Sequence, residues 1–404
     1  MNGLGYRDSR TNSKLSWLIR TLTNSSVIQL LSLQYRRRVA IYSEPSKARK
    51  VLSGNRGEWS EIYTFFKLLS DGKLHAANAD LSLDPNSYYP IVKIIRQQKS
   101  FTFEYVLDGM NVSITKNNDN AVLRTINRDA LATATVNLLS AINQAKATFE
   151  VPAVDAILNQ CEITSLKEPH SDKGDISLVA HDSKVNQDKN FAFSIKSQLG
   201  SASTLLNASG ATNFKFGIIG KLSDTEIETL NLLGPKDLLR DLTRRGFAIN
   251  LVEIYNEQFE ANLKMIDSLM PKIVAEIMLA YYSGNGTSLA ELVDIVIADD
   301  VLDYGKTAAE TYSHKIKTLL MDVALGMTPS KPWSGNYDAT GGYIIVKHDG
   351  EIVCFHAYNR EEFKNYLLAS TKMETASRSR HNFGHIYREG SELRIDLNLQ
   401  IRFI

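Results

Sequence analysis

Residues 174–200, GDISLVAHDSKVNQDKNFAFSIKSQLG, constrain the fold most. Polar and apolar residues alternate over 175–181 and again over 191–197, and DSKVNQDKN between them is rich in turn formers. The pattern predicts a β-hairpin. Ile176, Leu178 and Ala180 point to one side of the first strand and Asp175 to the other; Phe191, Phe193 and Ile195 oppose Ser194 and Lys196 on the second. Folding back through the turn brings Asp175 and Lys196 near each other on one sheet face. The same pattern would also serve a solvated outer face with no chemistry.

Composition narrows the classes. A chain of 404 residues, 43% hydrophobic and 23% charged, can bury a substantial core and hold two or three domains. Net charge is +1, so any nucleic-acid surface must come from local segregation of charge. Two cysteines, Cys161 and Cys354, are too few for a disulfide scaffold or a four-cysteine zinc site, and a reducing cytoplasm is the expected setting. No apolar run is long enough to span a membrane, and no signal peptide is read at the N-terminus.

Apolar spacing predicts helices over 14–38, broken near 24–26, and Arg36, Arg37 and Arg38 follow in a row. The stretch 58–69, EWSEIYTFFKLL, is a strong helix with Trp59, Ile62, Phe66 and Leu69 on one stripe. Glu58 and Glu61 share the adjoining stripe. They either complement the helix dipole or point into a site. Further helices are expected over 128–149, 224–233, 236–245, 258–282 with a break near Pro271, 289–296, 307–325 and 360–369. Strands are expected over 100–112, 214–219, 248–254, 343–347, 351–356 and 393–403. The Pro/Gly-rich stretch 328–342, TPSKPWSGNYDATGG, reads as an internal boundary. The whole is an α/β protein with a mixed sheet flanked by helices.

Two local motifs are discarded. Gly305-Lys306-Thr307 ends like a phosphate loop, but Asp300 stands where that motif needs glycine. His381 and His385 lie four apart, yet the Asn-Phe-Gly between them disfavours helix and no cysteine is near. Residues 364–388 are richer: Lys364, Lys372, Arg378, Arg380 and Arg388 face one acid, Glu374, with Ser377 and other small polar residues interleaved. Arginine suits bidentate contact with guanine and small polar groups suit phosphate, although a solvated basic loop has the same composition.

The Asp…Ser-x-Lys arrangement of the hairpin resembles the PD-(D/E)xK core of restriction-type nucleases. GNRGEWSEIYTFFKLLSDGKL, the hairpin, KFGIIGKL and the end GGYIIVKHDGEIVCFHAYNREEFKNYLLASTKMETASRSRHNFGHIY follow in order. Together they resemble the HpaII family of type II restriction endonucleases over residues 54–404. The resemblance implies Mg²⁺-dependent cleavage of double-stranded DNA at a short palindrome, CCGG in the type member. It also implies a homodimer on DNA and a paired DNA methyltransferase acting on the same site. Asp175 is then a metal ligand, with Asp172 as its rival. Lys196 is the catalytic lysine, and Glu61 or Glu58 supplies an acid from the helix. Ser194 stands where many relatives of this core carry an acid, which gives the helix glutamate more weight. Lys372, Ser377, Arg378, Arg380 and His381 are the expected DNA contacts, with Lys331 in the 328–342 stretch. On this reading 1–53 is a helical extension, 54–335 the nuclease core with a helical insertion, and 336–404 a β-rich recognition segment. The alternative is a non-cleaving, sequence-specific DNA-binding protein on a nuclease scaffold.

Overall fold

In the computed structural model the described residues are 51–404, apart from 99, 118, 120, 169–173, 183–185 and 357–358. The expected helices over 14–38, the arginine run 36–38 and Asp172 lie outside them. A nine-stranded mixed sheet forms the frame. Its strands in chain order are β1 (Lys73–Ala77), β2 (Leu83–Gln98), β3 (Phe101–Asp108), β4 (Asn111–Lys116), β5 (Arg124–Asn127), β6 (Ile176–Asp182), β7 (Gln187–Ser197), β8 (Gly342–Val346) and β9 (Ile352–His356). Across the sheet they run β1-β9-β8-β7-β6-β2-β3-β4-β5, and β1 pairs also with the first half of β2. The sheet therefore curls back on itself. Pairing is parallel between β8 and β7 and between β9 and β1, and antiparallel elsewhere.

The predicted hairpin is β6–β7, in register from Ile176 opposite Phe193 to Asp182 opposite Gln187. Its second strand starts four residues earlier than the alternation suggests, because Gln187–Asn190 pair with β6 although they are polar. The stretch 100–112 is two strands rather than one: Gly109 takes φ 55, and the chain turns there.

Two hydrophobic cores lie against opposite faces of this sheet. The period of two along β8 and β9 sorts the side chains: Ile344, Val346 and Cys354 join one core, while Tyr343, Ile345, Val353 and Phe355 join the other. The first core is covered by α1 (Arg56–Asp71) and α2 (Arg128–Gln144). Trp59, Ile62, Phe66 and Leu69 of α1 are buried in it, as their spacing predicts. The second core is enclosed by the helices α3 (Asp224–Asn231), α4 (Pro235–Arg244), α5 (Glu257–Ile266), α6 (Met270–Tyr282), α7 (Leu289–Asp299), α8 (Ala308–Leu325) and α9 (Arg360–Ala369). Two smaller sheets complete it: a four-stranded one around Asn213–Ile219, and a three-stranded one of Thr204–Leu206, Ile401–Phe403 and Thr371–Met373. The alternating stretch 393–403 splits between these sheets as Glu392–Asn398 and Ile401–Phe403. Residues 342–356 enter the large sheet directly beside the hairpin. Among the described residues no helix is long and apolar enough to cross a membrane.

Candidate active site

The site lies just before β6 starts. Ile176 is the first residue of β6, but β7 runs on past its partner Phe193 with β8 at its side. Asp175 fills the gap. Its N–H donates to the Phe193 carbonyl at 2.8 Å, and its carboxylate accepts the Ile195 N–H at 2.7 Å and the Ser194 hydroxyl at 3.0 Å. Asp175 therefore replaces a strand neighbour, and its carboxylate is held against β7 one residue before Lys196. Ser194 is not an independent ligand in this arrangement: its hydroxyl orients Asp175.

Lys196 stands opposite Ile345 of β8, with its ammonium 5.2 Å from the ring centroid of Tyr343. The Tyr343 hydroxyl donates to the Ala324 carbonyl, which fixes that ring. Burial pushes the Lys196 pKa down, and the negative charges of Asp175 and Glu61 oppose that shift.

Helix α1 brings Glu61 to the pair. Ser60 Oγ lies 2.8 Å from Ser197 Oγ, and Arg56 donates to the Leu199 carbonyl at 3.0 Å, so the start of α1 is tied to the end of β7. Burial first, then the Asp175 charge, raise the Glu61 pKa from 4.5 to about 7. Arg96 and Lys167 pull it the other way. Glu58 is differently engaged. With Asn55 it forms the capping box of α1, its carboxylate accepting the Asn55 N–H at 2.8 Å, and it also faces Lys167 at 3.5 Å. Glu58, expected beside Glu61 as a source of the helix acid, is thus engaged at the helix cap, whereas Glu61 faces Asp175.

Each pair of the three charged residues shares a cleft. Asp175 and Lys196 line one of about 910 Å³, Asp175 and Glu61 one of about 540 Å³, and Glu61 and Lys196 one of about 440 Å³. Among the described residues no group of three His, Cys, Asp or Glu is placed to hold a metal. Two carboxylates fit a hard dication that keeps waters and takes substrate phosphate oxygens as its other ligands. A carboxyl raised to about 7 beside a second acid is also a site whose repulsion a cation would relieve.

The expected DNA contacts are less uniform. Arg378 is turned inward: its guanidinium donates to the carbonyls of Leu233, Asn231 and Gly384 and meets His385 Nδ1 at 2.7 Å. It clamps a loop through these contacts. Arg380 is exposed, Lys372 is half-buried in a strand, and Ser377 Oγ lies 3.5 Å from Ser379 Oγ. The His381 carbonyl accepts from Asn213 Nδ2. None of these five lines the three clefts described above. Lys331 does line the largest, together with Trp333 and Asn336. Sequence reading missed Arg96, which is 1% exposed and donates to the Leu166 carbonyl at 2.6 Å, placing a buried cation near Glu61. Nothing in the strand sequence KIIRQQ marks it.

Comparison with known proteins places the chain in a family. The family model described as HpaII restriction endonuclease matches residues 55–403. The type II restriction enzyme HpaII of Haemophilus parainfluenzae is 40% identical over 358 residues, covering 87% of this chain and 99% of that protein. The chain belongs to the HpaII restriction endonuclease family. It is accordingly a site-specific deoxyribonuclease. No solved structure matches it. The HpaII family match begins at Asn55, the N-cap of α1, and runs through every element that builds the site.

Proposed function

We propose that the protein hydrolyses phosphodiester bonds of double-stranded DNA at a short palindrome, CCGG, with Mg²⁺ as cofactor, on a PD-(D/E)xK core. The carrying observation is the placement of Asp175, Glu61 and Lys196 so that each pair shares a cleft, with Asp175 locked to β7 beside Lys196. Asp175 and Glu61 would hold the Mg²⁺, which when bound polarises the scissile phosphate and makes a water more acidic. Asp175 presents a fixed carboxylate, since Ser194 and the Ile195 N–H restrain it. Lys196, its pKa lowered by burial, gives up its Nζ proton more readily than a free lysine, and so orients the attacking water or steadies the developing negative charge. A palindromic target fits a two-fold pair of subunits on DNA, and a host genome carrying the site needs a DNA methyltransferase that protects it. Incubation with plasmid DNA tests the reading. Discrete fragments with Mg²⁺, none with EDTA, and CCGG at the sequenced ends are expected. Absence of cutting under both conditions refutes it.

A further inference from the structure

The apolar stripe of α5 carries one polar residue. Phe259 and Leu263 are fully buried there, and Asn262 beside them is 1% exposed. Burying an unpaired amide is costly, so its partners reveal its task. Asn262 Nδ2 donates to the carbonyls of Thr328, at 3.0 Å, and Lys331, at 2.9 Å. Its Oδ1 accepts the Trp333 N–H at 3.2 Å and Gln258 Nε2 at 2.9 Å. All four hydrogen-bonding positions of the amide are filled, three of them by the backbone of one loop. Aspartate could not replace it, because a carboxylate would face two carbonyl oxygens.

That loop, residues 328–336, forms part of the wall of the cleft that holds Asp175 and Lys196. Pro329 and Pro332 stiffen it, and the indole N–H of Trp333 donates to the Asn336 carbonyl at 3.2 Å. Beyond it, Asp338 N–H donates to the Leu325 carbonyl and Tyr337 to Asp322. The backbone is thus fixed while the Lys331 and Asn336 side chains stay exposed in the cleft. The lysine ammonium and the asparagine amide can donate to guanine O6 and N7, the amide oxygen can accept from the cytosine amino group, and a rigid loop loses little entropy on binding.

Building on the proposed nuclease function, we infer that loop 328–336 reads bases of the target duplex next to the cleavage centre, and that Asn262 is the residue that positions it. The test compares wild type with Asn262→Asp, Asn262→Ala, Lys331→Ala and Asn336→Ala. Binding to a duplex carrying the site mapped from wild-type fragment ends, and to a scrambled duplex, is measured by fluorescence anisotropy with Ca²⁺ in place of Mg²⁺, below each variant's unfolding temperature. Loss of a reading contact should lower the cognate-to-scrambled affinity ratio about tenfold. Asn262→Asp should lower it as much as Asn336→Ala, though it touches no DNA. A purely structural asparagine would lower thermal stability and leave the ratio unchanged. Unchanged ratios in all four variants, with a wild type that discriminates, overturn the inference alone. Should the Asn262 variants not fold, unchanged ratios in Lys331→Ala and Asn336→Ala overturn it. A wild type that neither cuts nor discriminates overturns the reading beneath it.

Discussion

Replacing Glu61 by glutamine keeps the size of the side chain and removes its titration. In the native protein the carboxyl ionises at about 7, against an ordinary value of 4.5. At about 1.4 kcal/mol for each tenfold change, ionising Glu61 in the fold costs about 3 kcal/mol more than in the unfolded chain. The sign follows. The folded state holds the proton more tightly, so the contribution is fully present below 4.5 and is lost as pH rises through 7. Glu61→Gln has no such loss. Urea unfolding in EDTA should therefore show the variant gaining on wild type between pH 5 and pH 8. Loss of the attraction between Glu61 and Lys196 takes back part of the gain, so about 3 kcal/mol is its ceiling. Comparing slopes removes any constant effect of the buried amide. A divalent cation should stabilise wild type at pH 8 and leave the variant nearly unchanged, because it binds the native site alone. Parallel stability curves for the two proteins, within about 0.5 kcal/mol across that range, would refute the assignment of Glu61 to a crowded acidic pair.

Other consequences are open to measurement. Asp175→Asn removes the charge that helps to raise Glu61, so the midpoint of the Glu61 titration, followed by the same urea series, should move from about 7 toward 4.5. Lys196→Ala should lower single-turnover cleavage at least about a hundredfold while cognate binding in Ca²⁺ is retained. Glu58→Ala should lower stability by about 1 kcal/mol in urea unfolding through the lost capping box and leave cleavage intact. Arg378→Ala should destabilise by about 2 kcal/mol or more, since it strips donors from three carbonyls, with little change in the cognate-to-scrambled binding ratio.

What the sequence carried and what it hid divide on physical lines. The β6–β7 hairpin and α1 were legible because their apolar periods coincide with the faces they bury. Strand β2 was not, because Pro85 and Pro90 interrupt it and proline argues against a strand interior. The 393–403 alternation predicts a single strand; alternation gives the pleat, not the partner, and the two halves join different sheets. Loop 328–336 looked like a boundary because Pro and Gly mark linkers and ordered walls alike. What orders it is Asn262, 66 residues before Thr328, a separation no local pattern reports. The inward setting of Arg378 is hidden for a related reason. Composition counts a guanidinium as surface charge, whereas geometry ties this one to backbone carbonyls.

The serine at 194 explains why the proposed site needs its helix. A hairpin with an acid at that position would bring two carboxylates on one rigid sheet element. Here the hairpin brings one, and its neighbour's hydroxyl holds it in place. The second charge must come from α1, so the helix has to be fixed to the sheet as firmly as a strand would be. The ties are visible: Ser60 against Ser197, Arg56 on the Leu199 carbonyl, and the buried stripe of Trp59, Ile62, Phe66 and Leu69 beneath. Glu61 then arrives half-buried beside Asp175 with a raised pKa, and neither Arg96 nor Lys167 offsets the shift. Burial and like charge leave that carboxyl in want of a cation, which is the condition a nuclease of this kind needs in order to gather a dication and a phosphate at the same point.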